Sequence, residues 1–155
     1  HFYRHFGLKY TILRYANVYG PRQPASGESG AIALFLENLL KGEPVRIDGD
    51  GEQTRDFVFV GDVVRANLAA VNFGDTETVN VGTAHSVSIN GLVRLLEQTH
   101  GSPIAQVRAP ARAGDIRHSC LDNRKAMRLL KWRPQTDLLA GLELTYKSKF
   151  SSLAG

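Results

Sequence analysis

Residues equipped for polar chemistry crowd the stretch LRYANVYGPRQ, Leu13 to Gln23, where Tyr15, Asn17, Tyr19 and Arg22 follow an apolar run that stops at Gly20-Pro21. An amide, two phenols and a guanidinium at a strand end suit a polar ligand better than a core. Other local signals are weaker. His1 and His5 stand at i,i+4 and could share a helix face, but two imidazoles lack a third metal ligand, and a solvated helix end accounts for them. Gly49-Asp50-Gly51 lacks the third glycine of a dinucleotide loop. It also lies between two strand-like segments, where such a loop needs a strand before it and a helix after it, so a hairpin-type turn is expected. No P-loop, H-E-x-x-H, paired C-x-x-C or G-x-S-x-G elbow occurs in the sequence.

The elements that must position these groups follow from periodicity. Tyr10 to Tyr15 is β-branched and aromatic and predicts a buried strand. Pro21 to Gly30 is a turn-rich loop, and Ala31 to Lys41 carries Ile32, Phe35, Leu36, Leu39 and Leu40 at helical spacing before Gly42. Short strands are expected over Val45 to Asp48 and Asp56 to Val60. Asp62 is placed to cap a helix with Val63, Val64, Leu68 and Val71 on its apolar face. Thr78 to Gly82 and Ile104 to Arg108 read as strands, and Ser88 as the cap of a helix burying Ile89, Leu92, Val93 and Leu96. Asp122 would cap a helix to Leu130, and Thr136 or Asp137 a last one to about Phe150. Strands alternating with helices argue for an α/β arrangement with parallel pairing. Ligands in such sheets sit outside the carboxyl ends of the strands, so Asn17 and Tyr19 are expected to face a cleft.

Bulk properties set the limits. The chain's 155 residues fit one domain. A chain of that length buries roughly 68–70% of its unfolded surface, enough for a core without staples. Cys120 is the lone cysteine, so no intrachain disulfide forms, which suits a reducing compartment. No apolar run approaches a membrane span and no signal-peptide pattern opens the sequence. The net charge of +4 is mild and the basic residues are dispersed, so small anions fit as partners and a nucleic acid is not demanded. His1 to Gly7 reads as the last turns of a helix whose start is not in the sequence, so a fragment is expected.

Four segments, LRYANVYGPRQ, GDGEQTRDFVFVGDVVRA, RAGDIRHSCLD and RKAMRLLKWRP, resemble in order and spacing the extended short-chain dehydrogenase/reductases. The resemblance is to the NAD-dependent epimerase/dehydratase group of the UDP-glucose 4-epimerase type, and it runs from Gly7 to about Thr145. Only the second half of that family is resembled. Its Gly-rich loop and catalytic Tyr-x-x-x-Lys pair lie upstream, and none of the five tyrosines here has Lys four residues on. The resemblance implies the C-terminal part of a Rossmann-like α/β fold, with residues 1–155 forming one unit: the last Rossmann elements plus a small nucleotide-sugar-binding domain.

The resemblance also implies a site. Asn17, Arg55 and Arg112 match positions that hold a diphosphate, a task for which the planar guanidinium fork is suited. Asp115 matches a carboxylate taking ribose hydroxyls; Ala31, Ile32 and Ile47 match the lining of a nucleotide pocket; Tyr15 and Ala16 match positions beside a nicotinamide. Ser119 matches a position flanking the sugar, where a small side chain would leave room for N-acetylated hexosamines as well as hexoses. No catalytic residue is assigned. The implied activity is removal and return of hydride at the sugar C4 with NAD as cofactor, in a cytoplasmic protein able to pair as a homodimer, with no turnover from these residues alone. Two alternatives stay open: a dehydratase or decarboxylase of the same family, and a non-catalytic nucleotide-binding or scaffold fragment. Without an upstream half, the Tyr10 to Tyr15 strand is expected to leave an open edge and an apolar patch.

Overall fold

The computed structural model describes residues 1–26 and 30–151. A short helix, Phe2–Phe6 (α1), ends at Gly7 in the left-handed conformation, as its sequence predicts. The strand Thr11–Tyr15 (β1) runs parallel to Glu77–Val81 (β5), with Thr11 opposite Glu77 and Tyr15 opposite Val81. After Ala16 the chain changes sheets. Asn17–Tyr19 (β2) lies parallel to Thr54–Phe59 (β4), whose start takes Ser86–Ser88 (β6) antiparallel. A third ladder joins Val45–Asp48 (β3) in parallel to Gln106–Ala109 (β7). The arrangement is α/β with parallel pairing, as expected.

The longer helices form where periodicity and caps agree. Ala31–Lys41 (α2) closes on Gly42 in the left-handed conformation. Ile89–His100 (α4) begins at Ser88, whose Oγ accepts from the Gly91 N–H at 3.1 Å. Leu138–Ser151 (α6) is capped by Asp137, which accepts from the Ala140 N–H. One cluster gathers Ile32, Phe35 and Leu36 of α2, Ile47 of β3, Phe57 of β4, Leu92, Val93 and Leu96 of α4, and Leu142 of α6. Each such side chain, fully buried, contributes roughly 1.5–3 kcal/mol. A second cluster joins Val79 and Val81 of β5 to Val63 and Ala66 of Val60–Asn72 (α3), Ala126 of Arg124–Leu129 (α5), Leu130 and Trp132.

Several expectations are corrected. Gly49-Asp50-Gly51 is not a hairpin turn, because β3 and β4 join different sheets and do not pair with each other. β1 is not buried: among the described residues it pairs only with β5, and Ile12 is 49% exposed. Asp62 does not cap its own helix. It sits in the first turn, fully buried, and accepts from the backbone N–H groups of Gln135 and Thr136 and from Arg65. The apolar face of α3 is split, with Val63 inside and Val64, Leu68 and Val71 outside. Val60 belongs to α3, not to the preceding strand. The helix expected from Asp122 starts at Arg124, with Asp122 accepting from the Arg124 N–H. Tyr19 faces the core, its ring edge-on to Phe59 and its hydroxyl against Gly141. Burial, aided by Asp137, pushes that phenol far above its ordinary value.

Candidate functional site

Residues distant in sequence meet where the β3–β7 pair, the start of β4 and the N-terminus of α2 converge. A cleft of about 170 Å³ opens there. Ala31, Leu34 and Phe35 of α2 form its apolar floor with Ile47, Phe57 and Ile89. Asn17, Arg46, Asp48, Gln53, Arg55, Arg112 and Asp115 supply the polar wall. A neighbouring cleft of about 220 Å³ shares Asp48, Gln53, Arg112 and Asp115 and adds Asp50 and Arg117.

Each guanidinium of the wall is held. Arg55, at the second position of β4, gives Nη2 to Asp115 Oδ1 at 2.5 Å and Nη1 to the carbonyls of Thr54 and Ile116 at 2.9 and 2.6 Å. It pairs across the cleft with Asp115, not with its neighbour Asp56. Arg112 forms an ion pair with Asp48, its Nε 2.5 Å from Oδ2, and Arg46 gives Nε to Asp48 Oδ1 at 2.8 Å. The Arg46 guanidinium holds the Asp48 carboxyl below the usual carboxylate range against the opposing effect of burial, and Arg112 adds to the shift. Asn17 gives its amide to the Asp56 carbonyl at 3.0 Å, so its Oδ1 stays available. The segment carrying Arg112 and Asp115 is anchored at both ends. Gly49 N–H donates to the Ala109 carbonyl and Thr54 N–H to the Arg117 carbonyl, and Arg117 clasps both oxygens of Asp50 at 2.7 and 2.8 Å. That clasp, with the Glu52 N–H, pushes the Asp50 carboxyl down to about 2.

The loop at 49–53 is equally fixed. Asn90 and Arg108 both donate to the Asp50 carbonyl, and Gly51 lies against them with positive φ; a Cβ there would collide with Asn90. Asp56 is a buried hub behind the cleft. It accepts from the Thr83 N–H and hydroxyl, the Ala84 N–H and the Leu121 N–H, and its carbonyl takes the Asn17 amide.

Of the sequence-expected residues, Asn17, Ala31, Ile47, Arg55, Arg112 and Asp115 line this one cleft. Ile32 points into the core beneath it. Ser119 lies outside the lining, its N–H on the Thr54 carbonyl. Tyr15 and Ala16 stand elsewhere, at the carboxyl end of β1, where the Tyr15 hydroxyl donates to Asn67 Oδ1 and Ala16 N–H to the Val81 carbonyl. Sequence reading missed Arg46, Asp48 and Gln53 in the wall. Their signal is only that they bracket the Gly49-Asp50-Gly51 turn.

A cleft with an apolar floor and three cationic side chains at its wall suits an anion attached to a flat or apolar body. Comparisons with known proteins show what the whole chain is similar to. The profile of the NAD dependent epimerase/dehydratase family matches residues 1–82. The UDP-glucose 4-epimerase of Mycolicibacterium smegmatis is 42% identical over 141 residues, covering 90% of this chain and 45% of the relative. The crystal structure of a Thermotoga maritima UDP-glucose 4-epimerase with UDP-glucose superposes with a TM-score of 0.93 at 50% identity, covering 98% of this chain and 49% of that one. That of the Thermus thermophilus UDP-glucose 4-epimerase with NAD gives 0.88 at 35% identity, with coverage of 97% and 50%. The chain thus spans about half the length of the relatives it matches.

Proposed function

We propose, from the premise that this chain belongs to the NAD dependent epimerase/dehydratase family, that it is the nucleotide-sugar-binding portion of a UDP-sugar 4-epimerase. One observation carries the reading: Asn17, Arg55, Arg112 and Asp115, from four separate stretches of chain, face one cleft above an apolar floor. A nucleoside diphosphate has the matching parts. Its two phosphates meet Arg55 and Arg112, its ribose hydroxyls donate to Asp115, and its base lies on the floor beside Ala31 and Ile47. Each charge-assisted contact contributes roughly 1.5–3 kcal/mol.

The family is NAD dependent, and the residues present fit one wall of such a site. Tyr15 offers a half-exposed ring and Ala16 a small neighbour at the carboxyl end of a parallel strand, where ligands of open α/β sheets bind. These two would flank the nicotinamide, and the bound cofactor supplies the hydride chemistry. This chain's own part is anchorage. An epimerase must let a sugar turn without losing it. Binding energy spent on the remote diphosphate holds the reacting centre in place while the sugar keeps its freedom.

Calorimetric titration with UDP, with dTDP and GDP as competitors, tests the reading. Saturable UDP binding is expected, weakened about 10- to 100-fold by Arg55→Ala. No UDP binding, or undiminished binding by the variant, would refute it. Supplied with NAD and UDP-glucose, the same preparation is expected to show no turnover.

A further inference from the structure

We propose that Asp48 is the positioning residue of this cleft: it orients the Arg112 guanidinium so that its two terminal nitrogens face the ligand's phosphates. The inference rests on the nucleotide reading above and adds to it a residue that the sequence did not single out.

Arg112 needs such a partner. Its side chain is 67% exposed on the stretch after β7, and Asp48 is its one ion-pair partner among the described residues. A free Arg side chain must give up rotamer freedom when it grips a ligand, and that loss weakens binding. Asp48 is built to prevent the loss. Its side chain is only 12% exposed, at the end of β3, where Asp48 lies in register with Ala109. The next residue closes the ladder through the Gly49 N–H to Ala109 carbonyl bond at 2.8 Å. The carboxylate is therefore fixed to the strand from which the Arg112 segment departs.

The choice of atoms matters as much as the pairing. The contact to Asp48 runs through Nε of Arg112, and no hydrogen bond engages either of its terminal nitrogens among the described residues. Those two nitrogens form the planar fork that suits a phosphate. The obvious objection is that a carboxylate beside a diphosphate repels it. Here the other oxygen of Asp48 is engaged by Arg46, so the Arg46–Asp48–Arg112 group carries net positive charge. Arg55 provides a control within the same cleft. Asp115 and two backbone carbonyls already fix it, so its contribution does not depend on Asp48.

The test titrates the wild-type chain, Asp48→Asn, Arg112→Gln and the double variant with UDP and with uridine, which lacks phosphates. Asp48→Asn is expected to weaken UDP binding about five- to tenfold, to leave uridine unchanged, and to lose its effect in the Arg112→Gln background. Asp48→Glu should recover part of the loss. If Asp48→Asn does not fold, Asp48→Ser, which also removes the carboxylate, makes the same test and should weaken UDP to the same degree. Unchanged or tighter UDP binding by Asp48→Asn, an equal loss for uridine, or an undiminished effect in the Arg112→Gln background overturns the proposal. Failure of the wild-type chain to bind UDP overturns the nucleotide reading itself, a separate and visible outcome.

Discussion

Around Leu92, side chains of α2, α4 and α6 cover the cluster, and its opening is the cleft, walled by paired charges. Around Val79, α3 and α5 cover the cluster, but the outer side of α3 and the β1 strand leave Val64, Leu68, Val71 and Ile12 in the open, with Val71 80% exposed. The first region exposes polar groups that are already tied to one another. The second exposes apolar groups that nothing within the described residues covers. Order has a different source in each region. The cleft wall is ordered by this chain's own ion pairs, whereas the β1 side holds apolar surface that stays exposed and adds little to this chain's stability.

Three measurements test that contrast. Leu92→Ala removes a fully buried side chain and is expected to lower unfolding free energy by about 2–5 kcal/mol. Val71→Thr, its counterpart on the open side, should stay within about 0.5 kcal/mol in the same urea titration. Equal losses would mean that Val71 is covered and the contrast is false. Asp56→Asn comes next. It turns an amide toward the N–H groups of Thr83, Ala84 and Leu121, and a loss of about 3 kcal/mol is expected by thermal melting. A loss below about 1 kcal/mol would show that the hub does not organise the ground behind the cleft.

The smallest effect is electrostatic. Arg117 holds the Asp50 carboxyl down to about 2, below its unfolded value of about 3.9. A carboxyl depressed on folding stabilises the folded chain above its unfolded value, and the contribution fades as pH falls toward the folded one. Both partners are exposed, so the contribution is modest. The urea midpoint of the wild type should exceed that of Asp50→Asn by a small constant amount from pH 5 to pH 8, and the gap should shrink steadily from about pH 4 to pH 2. A gap as large at pH 2 as at pH 7 would rule out the ion pair as its source.

Much of the fold was legible because local signals and packing agree. α2 and α4 have one apolar stripe each, a glycine stop, and in α4 a serine cap that forms as read. α3 was misread because it carries two apolar stripes, and periodicity reports a stripe without saying what lies against it. β2 and β6 have three residues each, too few for a pattern. The partners of β3 were hidden because pairing depends on a strand far along the chain, while nearness in sequence suggested a hairpin. At the site, the family-like arginines and Asn17 were legible as residues, but their partners were not. Asp48 reads from sequence only as a strand end, and Asp56 only as a neighbour of Arg55. Tyr19 shows the reverse error, a polar group at a strand end whose ring is spent on the core.

The β3–β7 ladder also bears on how the chain reaches this state. Its partners lie roughly 60 residues apart in sequence, and pairing them closes a long loop before any contact rewards the closure. Asp48 and the strand leading to Arg112 are brought side by side only by that step. The charged wall of the cleft is complete only in molecules that have made that closure, so a ligand gripping it as proposed would hold only those molecules. Such a ligand would slow unraveling far more than it would hasten assembly.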